Sequence, residues 1–314
     1  MRAVFFGTPE FALPILRALA ERHEVAAVVT QPDQPTGRGR RVMPPPVKLR
    51  ADELGIPVYQ FERVRRQIGL DALRGLNADV FVTAAYGQIL SQKILGIPKV
   101  GTVNVHASLL PKYRGAAPAQ WAIINGETLT GVTTMLTDIG IDTGDILLQR
   151  EVSVMPNDTS DTLLARLSET GASLLLETLD GLSRGTIVPQ KQDEEQATHC
   201  VMLTKEHGRI DWTKSAPSIE RLIRGVKAYT LIGDETLKIH RAEIISPTER
   251  AGCAGTVVAD ESHGIAVACG EGVLRLTEVQ AAGGKRMSAG DYLRGHTIPR
   301  GTILGENTIE RHTQ

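Results

Sequence analysis

No stretch of this sequence stays apolar for the roughly 18 residues that a membrane-spanning helix requires. Cysteine is scarce: Cys200, Cys253 and Cys269 lie far apart and form no CxxC pair. That excludes a disulfide framework and a structural zinc site, and reads as a chain kept in a reducing cytoplasm. Charge of either sign is not in excess. The net charge is −1, and acidic and basic residues balance from Glu206 onward. A nucleic-acid partner would therefore have to be met by local patches rather than by a basic domain. The histidines other than His106 (His23, His199, His207, His240, His263, His296, His312) show neither an i, i+4 pair nor zinc-like spacing, so no metal is expected. The first turn, Gly7-Thr8-Pro9-Glu10-Phe11, has one glycine where a dinucleotide pyrophosphate needs several, which speaks against a nicotinamide-dependent dehydrogenase. Repeats and low-complexity tracts are absent. The start, Met1 to Gly7, reads as a strand that is broken too early for a signal peptide.

At 314 residues, with 41% apolar and 23% charged residues, the chain has the make-up of two globular domains. Its first part alternates strand and helix patterns. Short apolar runs stand at 2–6, 25–30 and 80–84, with two further strands expected at 130–136 and 146–152. Thr8 has the position of a helix N-cap with Pro9 at the first helical residue, followed by Phe11, Ile15, Leu16 and Leu19 at helical spacing. A long amphipathic helix is expected over 159–182. Such alternation predicts an α/β fold with a doubly wound, mostly parallel sheet. The polar stretch Gln190 to His199 then marks a boundary. Beyond it a single helix is expected at 218–227, with short strands at 237–245, 256–259, 265–269 and 273–279, the spacing of a small β-barrel. The expected divisions are a domain over 1–189, a linker or boundary over 190–207, and a second domain over 208–314.

Chemistry concentrates in Thr102-Val103-Asn104-Val105-His106. Side chains alternate along a strand, so Asn104 and His106 share one face while Val103 and Val105 fill the other. The strand ends in a loop through Ser108 and Pro111, which places both polar groups near a carboxyl edge, where open α/β sheets bind ligands. Asp142 occupies its own glycine-flanked turn, reachable from the same edge. A neutral amide, an imidazole and a carboxylate together can polarise a carbonyl, stabilise an oxyanion and relay a proton. By itself, Arg114 reads as a surface-paired turn residue and Asp145 as a turn residue. The loop 31–47 strings Asp33, Arg38, Arg40 and Arg41 between Gly37, Gly39 and Pro44-Pro45-Pro46, and exceeds an ordinary βα connection. Arginines there suit phosphates and base edges.

The ordered set Asn104-Val105-His106, Ser108-Leu109-Leu110-Pro111, Tyr113-Arg114-Gly115-Ala116-Ala117-Pro118 and Asp142-Thr143-Gly144-Asp145 resembles the folate-dependent formyltransferase family. Gly7-Thr8-Pro9-Glu10-Phe11, Gly37-Arg38-Gly39, Met43-Pro44, Pro46-Val47-Lys48, Ala85-Tyr86-Gly87 and Arg209-Ile210-Asp211-Trp212 extend the match over nearly the whole chain. The resemblance implies a Rossmann-like formyltransferase domain followed by a smaller OB-like β-barrel. It implies 10-formyltetrahydrofolate as formyl donor, without a metal, and Asn104, His106 and Asp142 as the catalytic group. Folate contacts are implied at Ser108, Leu109, Leu110 and Pro111 and along Tyr86, Gly87, Gln88, Ile89 and Leu90. The partner implied is methionyl initiator tRNA, its acceptor stem and aminoacyl end met by Arg38, Arg40, Arg41 and Lys48, with the second domain touching the RNA and no obligate protein partner. The segment Gly225 to Thr230 departs from the family pattern and is shorter there. Other acceptors for the same chemistry are a nucleotide-sugar amine, water, or glycinamide ribonucleotide, though the last would leave the second domain unexplained. A noncatalytic RNA-binding protein is the reading from another class, and it leaves Asn104, His106 and Asp142 without a purpose.

Overall fold

The computed structural model describes residues 1–36, 41–261 and 263–305. These fall into two compact units, one of 1–119, 129–154 and 161–201, the other of 120–128, 155–160 and the residues from Met202 on.

The first unit is organised by a seven-stranded sheet of β1 (Arg2–Gly7), β2 (Glu24–Thr30), β3 (Val58–Gln60), β4 (Val80–Ala84), β5 (Gly101–His106), β6 (Leu129–Leu136) and β7 (Ile146–Ser153), in the order β7-β6-β5-β4-β1-β2-β3. β3, β2, β1, β4 and β5 run parallel, β6 is antiparallel to β5, and β7 is antiparallel to β6. The central strands are apolar along their length because both faces are covered; every residue of β4 is buried. The edge strand β7 instead alternates buried and exposed positions towards its end. On one face Phe6, Phe81 and Tyr86 pack ring to ring, Phe6 lying 5.1 Å from Phe81 and 5.4 Å from Tyr86 between centroids. On the other, Val105 meets the helix Ser160–Arg184 at Gly171, where a Cβ would come within 2.8 Å of the valine methyl.

The expected strands and the long helix are present within two residues of their ends. Three features differ. The first helix begins at Ala12, not behind Thr8. The Thr8 hydroxyl donates to the carbonyl of Tyr86 at 2.9 Å, so a bond across the sheet edge replaces the cap. The three-residue β3 and the short helices Pro46–Glu53 and Gln67–Gly75 stand in addition to the expected elements. Residues 190–201 are no free connector. Gln190 bridges Ile146, and His199–Cys200 pairs in parallel with Arg114–Gly115. The division between units falls after Val201.

The second unit is an antiparallel OB-like half-barrel whose strands neighbour one another in the order Tyr229–Ile232, Glu235–Ser246, Val273–Ala281, Gly264–Ala268, Val257–Glu261. Its core gathers Ile210, Trp212, Ile219, Ile223, Leu237, Ile239, Val267, Leu274 and Leu276. The Trp212 indole donates to Thr230 Oγ1 at 2.9 Å, satisfying its one buried polar atom. A second helix, Ala289–Gly295, joins the expected one, which spans Ala216–Gly225. Its N-terminus is capped by Ser288, which accepts from the Asp291 amide at 3.0 Å. No helix of the described residues is long and apolar enough to cross a membrane.

Phe81 is fully buried beside Phe6. Phe81→Ala is expected to cost about 3–5 kcal/mol of stability. Urea denaturation checks this, and a shift well under 1 kcal/mol would show that the aromatic cluster is not what holds this face.

Candidate active site

The sheet order reverses at β1, so the carboxyl ends of β1 and β4 flank the crevice where open α/β sheets take ligands. β4 and β5 are adjacent and parallel, with Thr83 opposite Asn104, so the loops 85–90 and 107–113 leave the same edge side by side. Val103 and Val105 are buried, and Asn104 and His106 lie together on the other face as alternation requires. Thr83 donates its hydroxyl to Asn104 Oδ1 at 2.7 Å. That bond fixes which way the amide turns, and among the described residues Nδ2 has no acceptor and remains available as a donor.

His106 is 7% exposed. Its Nε2 lies 2.9 Å from the Tyr113 carbonyl, and its Nδ1 lies 3.6 Å from Asp142 Oδ2. Nε2 therefore has an oxygen acceptor within hydrogen-bond reach, and Nδ1 faces the carboxylate. At 3.6 Å the contact to Asp142 is an ion-pair distance, too long for a hydrogen bond. Nδ1 is thus the ring atom left to serve an incoming group. Asp142 does not reach His106 from the same edge, as its glycine-flanked turn suggested. β6 runs against β5, and Leu136 lies opposite Val103 near the start of β5. The loop 137–145 must fold back along the strand to deliver the carboxylate. Asp142 itself has φ +54°, a left-handed conformation that Asp tolerates better than most residues. Its Oδ2 accepts from the Gly115 amide at 2.9 Å.

The partners that hold this turn come from residues whose role the sequence did not disclose. Gln192 Nε2 donates to the carbonyls of Asp142 (2.8 Å) and Gly144 (2.7 Å), while its Oε1 accepts from Arg114 Nε at 2.9 Å. Arg114 is 1% exposed, not a surface turn residue, and its guanidinium forks onto both oxygens of Glu194 at 2.8 Å. Those bonds hold the Glu194 carboxyl below its ordinary range and the Arg114 guanidinium above its own. Asp145 pairs with Lys191.

Among the remaining expected residues, Ser108, Leu110, Tyr86 and Leu90 are buried, Leu109 and Gln88 are half-buried, and Gly87 and Ile89 are exposed. Ser108 Oγ donates to the Lys112 carbonyl at 2.7 Å, and the Leu110–Pro111 peptide is cis. Gln88 reaches Gln31 and Phe61 and accepts from Val64, bracing its loop. Leu109 stands over Gly131, whose added Cβ would come within 2.5 Å of it. Arg38 and Arg40 lie outside the described residues. Arg41 is exposed at the start of the strand Arg41–Met43, which pairs with Gln34–Thr36. Lys48 is not a free cation. Its Nζ contacts both oxygens of Asp33 (2.8 and 3.0 Å) and Gln60 Oε1 (2.9 Å), so it ties down the base of this hairpin. In the second unit Arg221 donates to the Ile124 carbonyl, Arg224 binds Glu220 and the Asp158 carbonyl, and Arg286 pairs with Glu278. Among the described residues no group of three or more His, Cys, Asp or Glu side chains is arranged to hold a metal ion.

A carboxyl with a folded pKa below its unfolded one contributes stability above the unfolded value, and loses it as pH falls through the folded value. Glu194, held below the ordinary 4.5, is of this kind. The native chain is expected to be more stable than Glu194→Gln at about pH 7, with the difference closing towards about pH 3. Urea midpoints at the two pH values check this, and an advantage that persists in acid would contradict it.

The family model for formyl transferases matches residues 1–179, and that for the formyl transferase C-terminal domain matches 202–297. The chain is 49% identical to the methionyl-tRNA formyltransferase of Citrifermentans bemidjiense, over 98% of this chain and 97% of that one. It is 50% identical to the methionyl-tRNA formyltransferase of Trichlorobacter lovleyi, over 96% of each. A crystal structure of a sugar 3N-formyl transferase, determined in the presence of dTDP and 5-N-formyl-THF, superposes with a TM-score of 0.64 at 19% identity, over 90% of this chain and 97% of that one. At that identity the likeness is one of fold.

Proposed function

The chain belongs to the formyl transferase family, and from that premise we propose that it transfers a formyl group from 10-formyltetrahydrofolate to the free amino group of methionyl initiator tRNA. The observation that carries the choice of acceptor is identity near one half, over almost the whole of both chains, to relatives named for that reaction. The residues fit the chemistry. The amine nitrogen bonds to the formyl carbon, the carbon–N10 bond breaks, the amine gives up a proton and N10 gains one. Negative charge gathers on the formyl oxygen meanwhile, so donors must be aimed at that atom.

Asn104 supplies one such donor, because Thr83 holds its Oδ1 and leaves the N–H pair outward. His106 supplies a second through Nδ1, with Nε2 steadied by the Tyr113 carbonyl. Asp142 faces the imidazolium and, through water, takes the amine proton for return to N10. For the folate rings we assign the loops 85–90 and 108–111, which leave adjacent strands at one edge. Leu109 and Ile89 offer apolar surface there, and Gly87 offers exposed backbone. Buried Ser108, Leu110, Tyr86 and Leu90 shape these loops from beneath.

Arg38, Arg40 and Arg41 are assigned to the acceptor stem and aminoacyl end, with Lys48 acting through its hold on Asp33 and Gln60. The units divide the labour, the first for catalysis and the second for sequence-independent RNA contact. An acceptor of this kind puts the enzyme at translation initiation in the cytoplasm.

The test offers 10-formyltetrahydrofolate with methionyl initiator tRNA, a nucleotide-sugar amine, or water, in separate reactions. Formylation of the tRNA alone is expected, reduced roughly 10²–10³-fold in kcat by His106→Ala or Asn104→Ala. Arg41→Ala should act chiefly by raising KM for tRNA, as a lost phosphate contact does. Turnover confined to the sugar amine or to water would keep the chemistry and overturn the acceptor.

A further inference from the structure

We infer that Gln192 is a positioning residue for Asp142, and that the Arg114–Glu194 ion pair holds Gln192 to that task; the inference rests on the formyl-transfer reading above. Asp142 sits in a left-handed turn that most side chains avoid, so its neighbours must over-determine it. A single amide does so on the backbone side, since Gln192 Nε2 caps the carbonyls of both Asp142 and Gly144. The turn has no room to relax inward, because a Cβ at Gly144 would come within 1.7 Å of the Leu136 carbonyl oxygen.

The orientation of the Gln192 amide is itself fixed. Its oxygen accepts from Arg114 Nε, and turning it over would set two donors against each other. Arg114 in turn is held by a two-point bond to Glu194, whose turn is capped by Asp193 accepting from the Glu195 amide at 3.0 Å. The residue after Arg114 closes the circuit. The Gly115 amide donates to Asp142 Oδ2, so one dipeptide steadies the carboxylate directly and the backbone through Gln192. Gly115 cannot drift, since it has φ +104° and a Cβ there would lie 2.4 Å from the Cys200 carbonyl oxygen.

The ring therefore runs from the Asp142 carbonyl to Gln192, to Arg114, along the chain to Gly115, and back to the Asp142 carboxylate. It fixes the distance and angle between Asp142 and the His106 ring without touching a substrate. A positioned group that moves by about 1 Å loses on the order of 10²-fold in rate, so slackening this ring should register in kcat.

The experiment measures formylation of methionyl initiator tRNA by the full chain and by Gln192→Ala, Gln192→Glu, Glu194→Ala and the double variant Gln192→Ala/Glu194→Ala. Gln192→Glu keeps an acceptor for Arg114 but turns a carboxylate on two carbonyls, so it isolates the donor role. Both Gln192 variants are expected to lower kcat by about tenfold or more, with KM for folate and tRNA within about twofold. The pH dependence of kcat should shift with them, because Asp142 no longer meets His106 in the native geometry; a purely structural loss would lower kcat uniformly across pH. The double variant should be no worse than Gln192→Ala alone, as expected of residues acting in one chain. Should the Gln192 variants fail to fold, Glu194→Ala at an exposed carboxylate decides the matter, with a several-fold loss in kcat at unchanged KM expected. Folded variants with native kcat and pH profile, beside an active native enzyme, would overturn the inference and leave the proposed function standing. A native chain that formylates no tRNA would overturn the proposed function, and this inference with it.

Discussion

A carboxylate and an imidazole held 3.6 Å apart, both restrained by backbone groups of the segment that follows β5, set the terms for the rest of the first unit. His106 comes from the end of a central strand and rests on the Tyr113 carbonyl. Asp142 comes from a loop that must double back along the sheet, and rests on the Gly115 amide. Tyr113 and Gly115 are two residues apart, so the segment that follows the strand gauges both partners against one piece of backbone. That segment is held in its turn. It pairs with His199–Cys200, and Tyr113 N donates to Thr198 Oγ1 at 2.8 Å. Thr133 and Gln149 hold the loop just before it, through the Leu110 amide and carbonyl. The pair is thus set in place by backbone groups before any substrate arrives, and preorganised groups cost no reorganisation when a reaction charge appears.

Much of this could be read along the chain, and the reason is periodicity. The alternation in Thr102 to His106 places the amide and imidazole on one face and Val103 and Val105 on the other, as found. Spacing at Ile15, Leu16 and Leu19 marks the first helix, and the long helix and the edge strands stand close to where their patterns predict. What could not be read rests on bonds between segments far apart. Thr8 looks like a cap, yet its hydroxyl prefers a carbonyl 78 residues away. Lys48 is an RNA contact by what the resemblance implies, but Asp33 and Gln60 converge on it only in the fold.

The same applies to the polar run from Gln190. Its charges and amides have the composition of a linker because composition does not report direction. In the folded chain Gln192 and Glu194 both bond to Arg114, 78 and 80 residues distant. Arg114, in turn, has no helical or strand pattern that would mark it as fully buried. The half-barrel unit shows a milder form of this limit. Its strands have clear apolar runs, whereas nothing along the chain shows that Arg221, Arg224 and Arg286 are engaged within the unit.

In the proposed function the Asp142 carboxylate is charge partner and proton acceptor, beyond its part in holding the loop. Asp142→Asn separates the two, since the amide oxygen can still accept from the Gly115 amide while the negative charge is removed. The direct measurement is single-turnover formylation of methionyl initiator tRNA by this variant, with folate binding followed alongside. A rate lower by roughly 10²–10³-fold with folate affinity retained is expected. Formylation at the native rate would contradict it.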